Sequence, residues 1–235
     1  MVWRHYWRCS GCISGRNGVD TLAEYLAITL LRHGLTAENE RHAYIGWSNV
    51  SLSKKGREQL GKYKDFQDDY ELFLCSDRKR CVETAEILFP NNSLKKCSAF
   101  REMNFGEWER KTYDELKNNE LYRKWLDDFY KVCPPGGEDF YHFTKRIDEG
   151  WRKLLTYLLT NDLRKVVIVS HGGVIRYLLS KLAPEKAEFW DWRIPHGGGY
   201  ELIWTEQEGK GEIRCTLLRE VTLTEKPHGS GIYTD

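Results

Sequence analysis

Leu26-Ala-Ile-Thr-Leu-Leu-Arg-His-Gly34 and Lys165-Val-Val-Ile-Val-Ser-His-Gly-Gly173 are the two stretches of sequence that decide the fold. Each begins as a short apolar run and ends abruptly in a histidine followed by glycine. Such continuous runs are typical of strands buried on both faces of a parallel sheet. Because ligands of open α/β sheets bind beyond the carboxyl ends of the strands, we predict that His33 and His171 face one crevice.

Helical and strand patterns alternate along the rest of the chain. The predicted helices, recognised from caps and apolar spacing, run from Ser53 to about Phe66, through Val82–Leu88 to Pro90, along Phe143–Leu158 and along Val174–Leu182. The further predicted strands are Glu71–Cys75, Tyr200–Trp204 and Ile213–Arg219. This alternation predicts an α/β fold with an open, mostly parallel sheet and helices on both faces.

The predicted domain covers residues 24–222 and is flanked by two segments without periodicity. Residues 1–23 read as a poorly ordered N-terminal extension and 223–235 as a C-terminal tail. A small helical cap insertion is predicted at about 105–145, where aromatic residues are dense from Trp108 to Tyr130. Most of these rings are expected to form a small hydrophobic core, although some could belong to a lid that stacks on a flat base.

Composition narrows the classes of partner. With a net charge of +1 and 40% hydrophobic residues, the chain gives no general reason to expect nucleic acid or an anionic membrane as partner. No apolar run reaches the roughly 18–20 residues of a membrane span, and the first residues lack a signal-peptide core. A cytoplasmic protein is the expectation.

Seven cysteines, an odd number scattered along the chain, indicate reduced thiols rather than a disulfide framework. The Cys9-Ser-Gly-Cys12 segment lacks a second ligand pair, so a metal or redox role there is disfavoured. No metal and no cofactor are expected.

Five side chains at or near strand ends suit phosphoryl transfer. Arginines offer planar, bidentate donors to phosphate oxygens, and a neutral imidazole can act as nucleophile. A carboxylic acid can protonate a poor leaving group and then serve as base for water. The candidate catalytic residues are Arg32, His33, Arg80, Glu102 and His171.

The order of these residues, with their sequence context, resembles the histidine phosphatase superfamily, which includes cofactor-dependent phosphoglycerate mutases. The resemblance spans about residues 26–219. It is carried by Leu31–Asn39 (R-H-G-x-T-x-x-N), Ser76–Ala85 (S-x-x-x-R-x-x-x-T-A), Glu102–Glu109, Pro135–Glu138 (P-G-G-E) and Val169–Arg176.

The resemblance implies a role for each candidate. His33 would be phosphorylated on its distal ring nitrogen, and Glu102, rather than Glu107 or Glu109, would be the acid and then the base. The groups that would bind the phosphoryl group are Arg32, Arg80 and His171, assisted by Asn39 and the backbone of Gly172.

Within the superfamily, Tyr44-Ile-Gly-Trp47, Glu102–Trp108 and Phe189-Trp190 resemble the α-ribazole phosphatases of cobalamin biosynthesis. This implies a small phosphorylated metabolite as substrate, either α-ribazole 5′-phosphate or adenosylcobalamin 5′-phosphate. A broad-specificity small-molecule phosphatase and a non-catalytic phosphate-binding module stay open as alternatives, as does the oligomeric state. A mutase is disfavoured because Glu102 and His171 are only 69 positions apart (171 − 102).

Overall fold

The computed structural model describes residues 25–63, 69–205 and 214–222, and its centre is a six-stranded sheet in the order β3-β2-β4-β1-β5-β6. The strands are β1 Tyr25–Arg32, β2 Leu72–Cys75, β3 Leu94–Lys96, β4 Lys165–Ser170, β5 Gly199–Thr205 and β6 Leu217–Val221. The helices are α1 Ala37–Glu40, α2 Lys54–Gly61, α3 Lys79–Leu88, α4 Tyr113–Leu116, α5 Glu120–Asp127, α6 Phe140–Asn161 and α7 Gly172–Leu182. The predicted extension, the tail and the Cys9–Cys12 pair lie outside the described residues.

The sheet is mostly parallel, as predicted. β1, β4, β2 and β3 run parallel, whereas β5 is antiparallel to both β1 and β6. In the β1–β4 pairing Arg32 is opposite Ser170. The next residues, His33 and His171, therefore leave the same edge of the sheet side by side.

Helices cover both faces of the sheet, which confirms the predicted fold class. On β4, Val166 and Ile168 pack in the cluster that contains α6 and α7, whereas Val167 and Val169 pack in the cluster with α2 and α3. All four side chains are at most 1% exposed. Burying each such side chain stabilises the fold by about 1.5–3 kcal/mol, so β4 anchors both layers.

Several element bounds differ from the sequence predictions. Ser53 caps α2 as predicted, accepting a hydrogen bond from the Gly56 N–H, but α2 ends at Gly61, and Phe66 lies outside the described residues. β6 begins at Leu217 rather than near residue 213, which also lies outside. β3 was not predicted because its three residues include two lysines and carry no apolar alternation.

The segment predicted as a cap is helical. It contains a 3₁₀ turn at Gly106–Trp108 followed by α4 and α5, and the first turns of α6 fall inside the predicted range of 105–145. The expected small core is confirmed for a cluster in which every ring or side chain is at most 4% exposed, namely Trp108, Leu116, Tyr122 and Trp125. The boundaries of the domain and its cap stay predictions.

The five cysteines in the described ranges are free thiols. Among the described helices, none combines the length and apolar character that a membrane crossing requires.

Candidate active site

His33 directly follows β1 and is held as a neutral imidazole with one defined tautomer. Its Nδ1 lies 2.8 Å from the Gly34 carbonyl, which can only accept, so Nδ1 carries the proton. Its Nε2 accepts a hydrogen bond from the Arg80 Nε at 3.2 Å. Burial lowers the pKa of His33 well below its usual range, and the neighbouring cation of Arg80 lowers it further. The distal nitrogen is therefore unprotonated and carries a lone pair.

His171, the N-cap of α7, lies with its ring centroid 5.2 Å from that of His33. Its Nδ1 accepts from the Arg80 Nη2 at 3.0 Å, which leaves the proton on Nε2, 2.9 Å from the Ser76 hydroxyl. Burial, followed by the charge of Arg80, lowers the pKa of His171 well below its usual range. Both histidines are thus neutral neighbours around one guanidinium.

Arg80 is fully buried and is oriented by the backbone of residues 45–48. Its terminal nitrogens donate to the carbonyls of Ile45 (3.3 Å), Gly46 (2.8 Å) and Ser48 (2.9 Å). These carbonyl dipoles offset part of the cost of burying the cation. The predicted phosphate arginine therefore lies directly behind His33, with the direction of each donor fixed.

Glu109 holds that same backbone from its other side. Its carboxylate accepts from the N–H groups of Gly46, Trp47 and Ser48 at 2.7–3.1 Å, and also from Phe105 N–H at 3.1 Å. With both oxygens occupied in this way, Glu109 has a structural role.

Arg32 and Glu102 line the cavity on which His33 opens. Arg32 Nη1 donates to the Ile194 carbonyl at 2.6 Å, but its buried Nε has no hydrogen-bond partner in the described part of the chain. Burial lowers the pKa of Arg32 to about 10, against the opposing effect of Glu102, so the guanidinium stays charged at neutral pH. A partly buried cation with an unsatisfied donor suits a bound anion.

The two glycines that follow His171 make different contacts in the structure. The N–H of Gly173, rather than that of Gly172, holds the Glu102 carboxylate, donating to Oε2 at 2.9 Å, while Met103 N–H donates to Oε1 at 3.0 Å. Gly172 lies against the guanidinium of Arg32, and a Cβ there would make ordinary contact at 3.4 Å. A role of the Gly172 backbone in phosphate binding stays a prediction.

Asn39 also lines the cavity, but part of its side chain is committed locally. Its Oδ1 accepts from the Thr36 N–H and hydroxyl at 3.3 and 3.0 Å, which completes a capping box at the start of α1. Since Oδ1 is the only acceptor of the amide, a ligand would have to meet the Nδ2 donor.

Two further residues at the site were missed by the sequence predictions. Arg176 lines the cavity one helical turn after Gly172, and its guanidinium lies 5.5 Å from the ring centroid of Trp190. The His196 ring lies 5.3 Å from that of His33, and its Nδ1 donates to the His33 carbonyl at 3.2 Å. The sequence does contain a signal for His196. In Pro195-His-Gly197 a histidine is again followed by glycine next to a strand, as in His33-Gly34 and His171-Gly172, although here the pair precedes the strand.

Within the residues that the structure describes, no group of three or more His, Cys, Asp or Glu side chains is placed to hold a metal ion. The positive charge at the cavity comes from Arg32 and Arg176. Activity without a metal stays a prediction.

The site thus places two neutral histidines at the ends of the adjacent parallel strands β1 and β4, with the guanidinium groups of Arg32 and Arg80 nearby. The sequence model of the histidine phosphatase superfamily (branch 1) matches residues 28–214, and the chain belongs to this superfamily. Together with the relatives described next, this membership supports a phosphatase enzyme.

The relatives include two enzyme classes. The adenosylcobalamin/alpha-ribazole phosphatase of Salmonella typhimurium is 28% identical over 182 residues, covering 73% of this chain and 87% of that protein. A 2,3-bisphosphoglycerate-dependent phosphoglycerate mutase of Allorhizobium ampelinum is 27% identical over 175 residues, covering 68% and 82%. The crystal structure of the alpha-ribazole phosphatase from Shigella flexneri superposes with a TM-score of 0.73 at 26% identity, covering 87% of this chain and 100% of that chain.

Replacing Gly173 with alanine should displace the Glu102 carboxylate while leaving the fold intact. The added Cβ would lie 2.3 Å from Glu102 Oε1, the mobile end of a side chain, which must move away. A group misplaced by about 1 Å can cost 10²-fold in rate, so we expect a kcat loss approaching that size on alkyl phosphate esters. Gly61→Ala is the matched control, because a Cβ there meets nothing within 4 Å. Equal activities of the two variants would contradict this placement of Glu102.

Acidification should destabilise the protein through its buried histidines. The pKa of His196 falls to about 3, mainly through burial, and those of His33 and His171 are also lowered. The unfolded chain takes up these protons near pH 6.5 and the folded chain does not. The contribution of these neutral histidines to the free energy of unfolding is therefore fully present above pH 6.5. It is lost as the pH falls toward the folded pKa, by up to about 1.4 kcal/mol per pH unit for each histidine.

Urea unfolding at several pH values between 7.5 and 5 measures this slope. His196→Gln should make it shallower, whereas His42→Asn, at an exposed position of positive φ that asparagine tolerates, should leave it unchanged. A His196→Gln slope equal to that of the parent would show that His196 is not held neutral in the fold.

Proposed function

We propose that the protein is a phosphomonoesterase that acts through a phosphohistidine at His33 and hydrolyses α-ribazole 5′-phosphate or adenosylcobalamin 5′-phosphate. The observation that carries the proposal is the neutral His33 with Nδ1 bound to the Gly34 carbonyl, next to the unpartnered Nε of Arg32. This pair supplies a nucleophile and an anion-binding donor at the same cavity.

In the first step, the lone pair of His33 Nε2 attacks phosphorus. The Arg80 Nε–H that donates to this nitrogen in the free site is released as the lone pair attacks, and from its fixed position it can meet a phosphoryl oxygen and stabilise charge on the transferring group. The bond from phosphorus to the leaving oxygen breaks, and Glu102 gives its proton to that oxygen. Glu102 is then a carboxylate.

In the second step, water attacks the phosphohistidine. Glu102 takes a proton from this water as the new P–O bond forms and the P–N bond breaks. Orthophosphate leaves, His33 is neutral again and Glu102 is protonated, so the cycle is balanced in atoms and charge. Fixed hydrogen bonds from Met103 and Gly173 hold the carboxylate through both steps.

The walls of the cavity support a leaving group with a flat aromatic ring. Seven phenylalanine, tyrosine and tryptophan side chains line it, and they are Tyr44, Phe105, Trp125, Phe129, Phe143, Phe189 and Trp190. Trp190 is 55% exposed, which leaves its ring accessible at the mouth of the cavity. A benzimidazole nucleoside could stack there while its phosphate reaches Arg32. The similarity to the Salmonella adenosylcobalamin/alpha-ribazole phosphatase favours the same substrates.

Brief reaction with ³²P-labelled α-ribazole 5′-phosphate, quenched in alkali, should leave acid-labile label on His33. The label should be absent from His33→Ala and undiminished by exhaustive chelation, since no step requires a metal. Label on a serine, cysteine or aspartate would refute the mechanism. Faster turnover of 3-phosphoglycerate than of either cobalamin precursor would favour the mutase-like alternative.

Trp190→Ala should weaken binding of the aromatic ester selectively. Loss of one stacking ring costs about 1–3 kcal/mol, which predicts a KM for α-ribazole 5′-phosphate raised about 5- to 100-fold. The KM for glycerol 1-phosphate, which has no ring, should change little. Tyr113→Ala removes a 56% exposed cap ring that does not line the cavity and is the matched control. An equal change in KM for both esters would show that the Trp190 ring does not recognise the aromatic part of the substrate.

A further inference from the structure

We propose that Arg146, held by Glu138, is a positioning residue that fixes the proton donor Glu102 by binding the backbone around it. The inference rests on the proposed role of Glu102. It also gives a purpose to the Pro135-Gly-Gly-Glu138 segment, which the proposed reaction itself leaves unused.

Arg146 extends from α6 to the carbonyls of the segment that carries the acid. Its Nη1 donates to Ala99 O at 2.8 Å and to Arg101 O at 2.9 Å, and its Nη2 lies 3.3 Å from Glu102 O. One planar guanidinium thus fixes three carbonyls within four residues. Only the fork of an arginine can meet all of them at once.

Glu138 fixes the guanidinium in turn. Its carboxylate accepts from Arg146 Nε at 2.9 Å and Nη2 at 2.7 Å, in a bidentate pair whose side chains are only 19% and 11% exposed. Such a pair is stronger and more directional than an exposed one. Because each donor of the fork has an acceptor, the guanidinium has a single arrangement.

The Pro-Gly-Gly-Glu turn also clamps the chain on the other side of Glu102. Glu138 N–H donates to Asn104 O at 2.9 Å, and Asn104 N–H donates back to the Glu138 carboxylate at 3.3 Å. At Gly106, where φ is +52°, a Cβ would lie 2.1 Å from Pro135 O, so this close approach requires glycine. The acid segment is therefore held both before and after Glu102.

Trp47 completes the arrangement. Its indole Nε1 donates to Glu102 O at 3.0 Å, and the guanidinium of Arg101 lies 4.8 Å from its ring centroid. The Glu102 carbonyl thus accepts from both Trp47 and Arg146. Neither of these donors is among the residues that line the cavity. Their shared contact with the cavity is Glu102, which lines it.

The inference predicts a loss that depends on the leaving group. Arg146→Lys keeps the charge and removes the fork, so the acid should be misplaced without a change in net charge. The quantity to compare is kcat/KM, which reports the phosphorylation of His33 and not the later attack of water, in which Glu102 also takes part. With benzyl phosphate, whose alkoxide needs a proton, kcat/KM should fall by about 10- to 100-fold. With p-nitrophenyl phosphate, which departs unaided, the loss should be less than about threefold, because only the proton transfer is impaired. Glu138→Gln should give the same pattern with smaller losses and tests the proposal if Arg146→Lys folds poorly.

A double-mutant cycle tests whether Arg146 acts through Glu102. Combining Arg146→Lys with Glu102→Gln should lower kcat/KM for benzyl phosphate no more than Glu102→Gln does alone. The exposed Arg152 on the same helix gives the control Arg152→Lys, which should match the parent on both esters.

The outcomes separate the two proposals. Equal losses on both esters for Glu102→Gln would overturn the role of Glu102 as proton donor. A selective loss for Glu102→Gln, together with equal losses for Arg146→Lys or multiplying losses in the double variant, would overturn the positioning role of Arg146 alone.

Discussion

The parallel pairing of β1 with β4 places the two histidines beside each other, and the rest of the site depends on it. Arg32 is opposite Ser170, and the ladder continues one step beyond the strands, where the His33 N–H donates to the Ser170 carbonyl at 2.9 Å. A slip of one residue would turn the side chains of β1 to the opposite faces and separate the two imidazoles. Because β4 is buried on both faces, this register is strongly specified by the packing of both helical layers.

The site concentrates positive charge in a place from which water is largely excluded. Arg80 is fully buried, and every further guanidinium nearby raises the free-energy cost of burying a positive charge. The backbone carbonyls of residues 45–48 offset this cost because they accept hydrogen bonds from Arg80 in place of water. The neighbouring imidazoles respond by staying neutral. The proposed role of His33 as nucleophile depends on this neutrality, since a protonated His33 would have no lone pair to offer.

Local sequence patterns were sufficient to predict where the central strands end and which types of residue follow them at the site. The β4 run, the histidine–glycine pairs and the Ser53 cap are short-range signals, and the structure confirms the elements that they predicted. Contacts that depend on distant segments left no such signal. Nothing in the local sequence shows that Gly173 rather than Gly172 meets Glu102, or that Glu109 binds residues 46–48 some 60 positions earlier in the chain. Glu138 lies only eight positions before Arg146, but the three backbone acceptors of Arg146 lie more than 40 residues away.

The outer strand β3 has a consequence for the solubility of the chain. A sheet edge exposes unpaired backbone groups that can recruit a strand from another molecule. β3 is only three residues long, and its Lys95 and Lys96 are both exposed. A strand added at this edge could form only a few backbone hydrogen bonds with β3. It would also have to bury the ammonium groups of Lys95 and Lys96 or place its own side chains beside them. This edge is thus protected against growth into aggregates by its shortness and its charge.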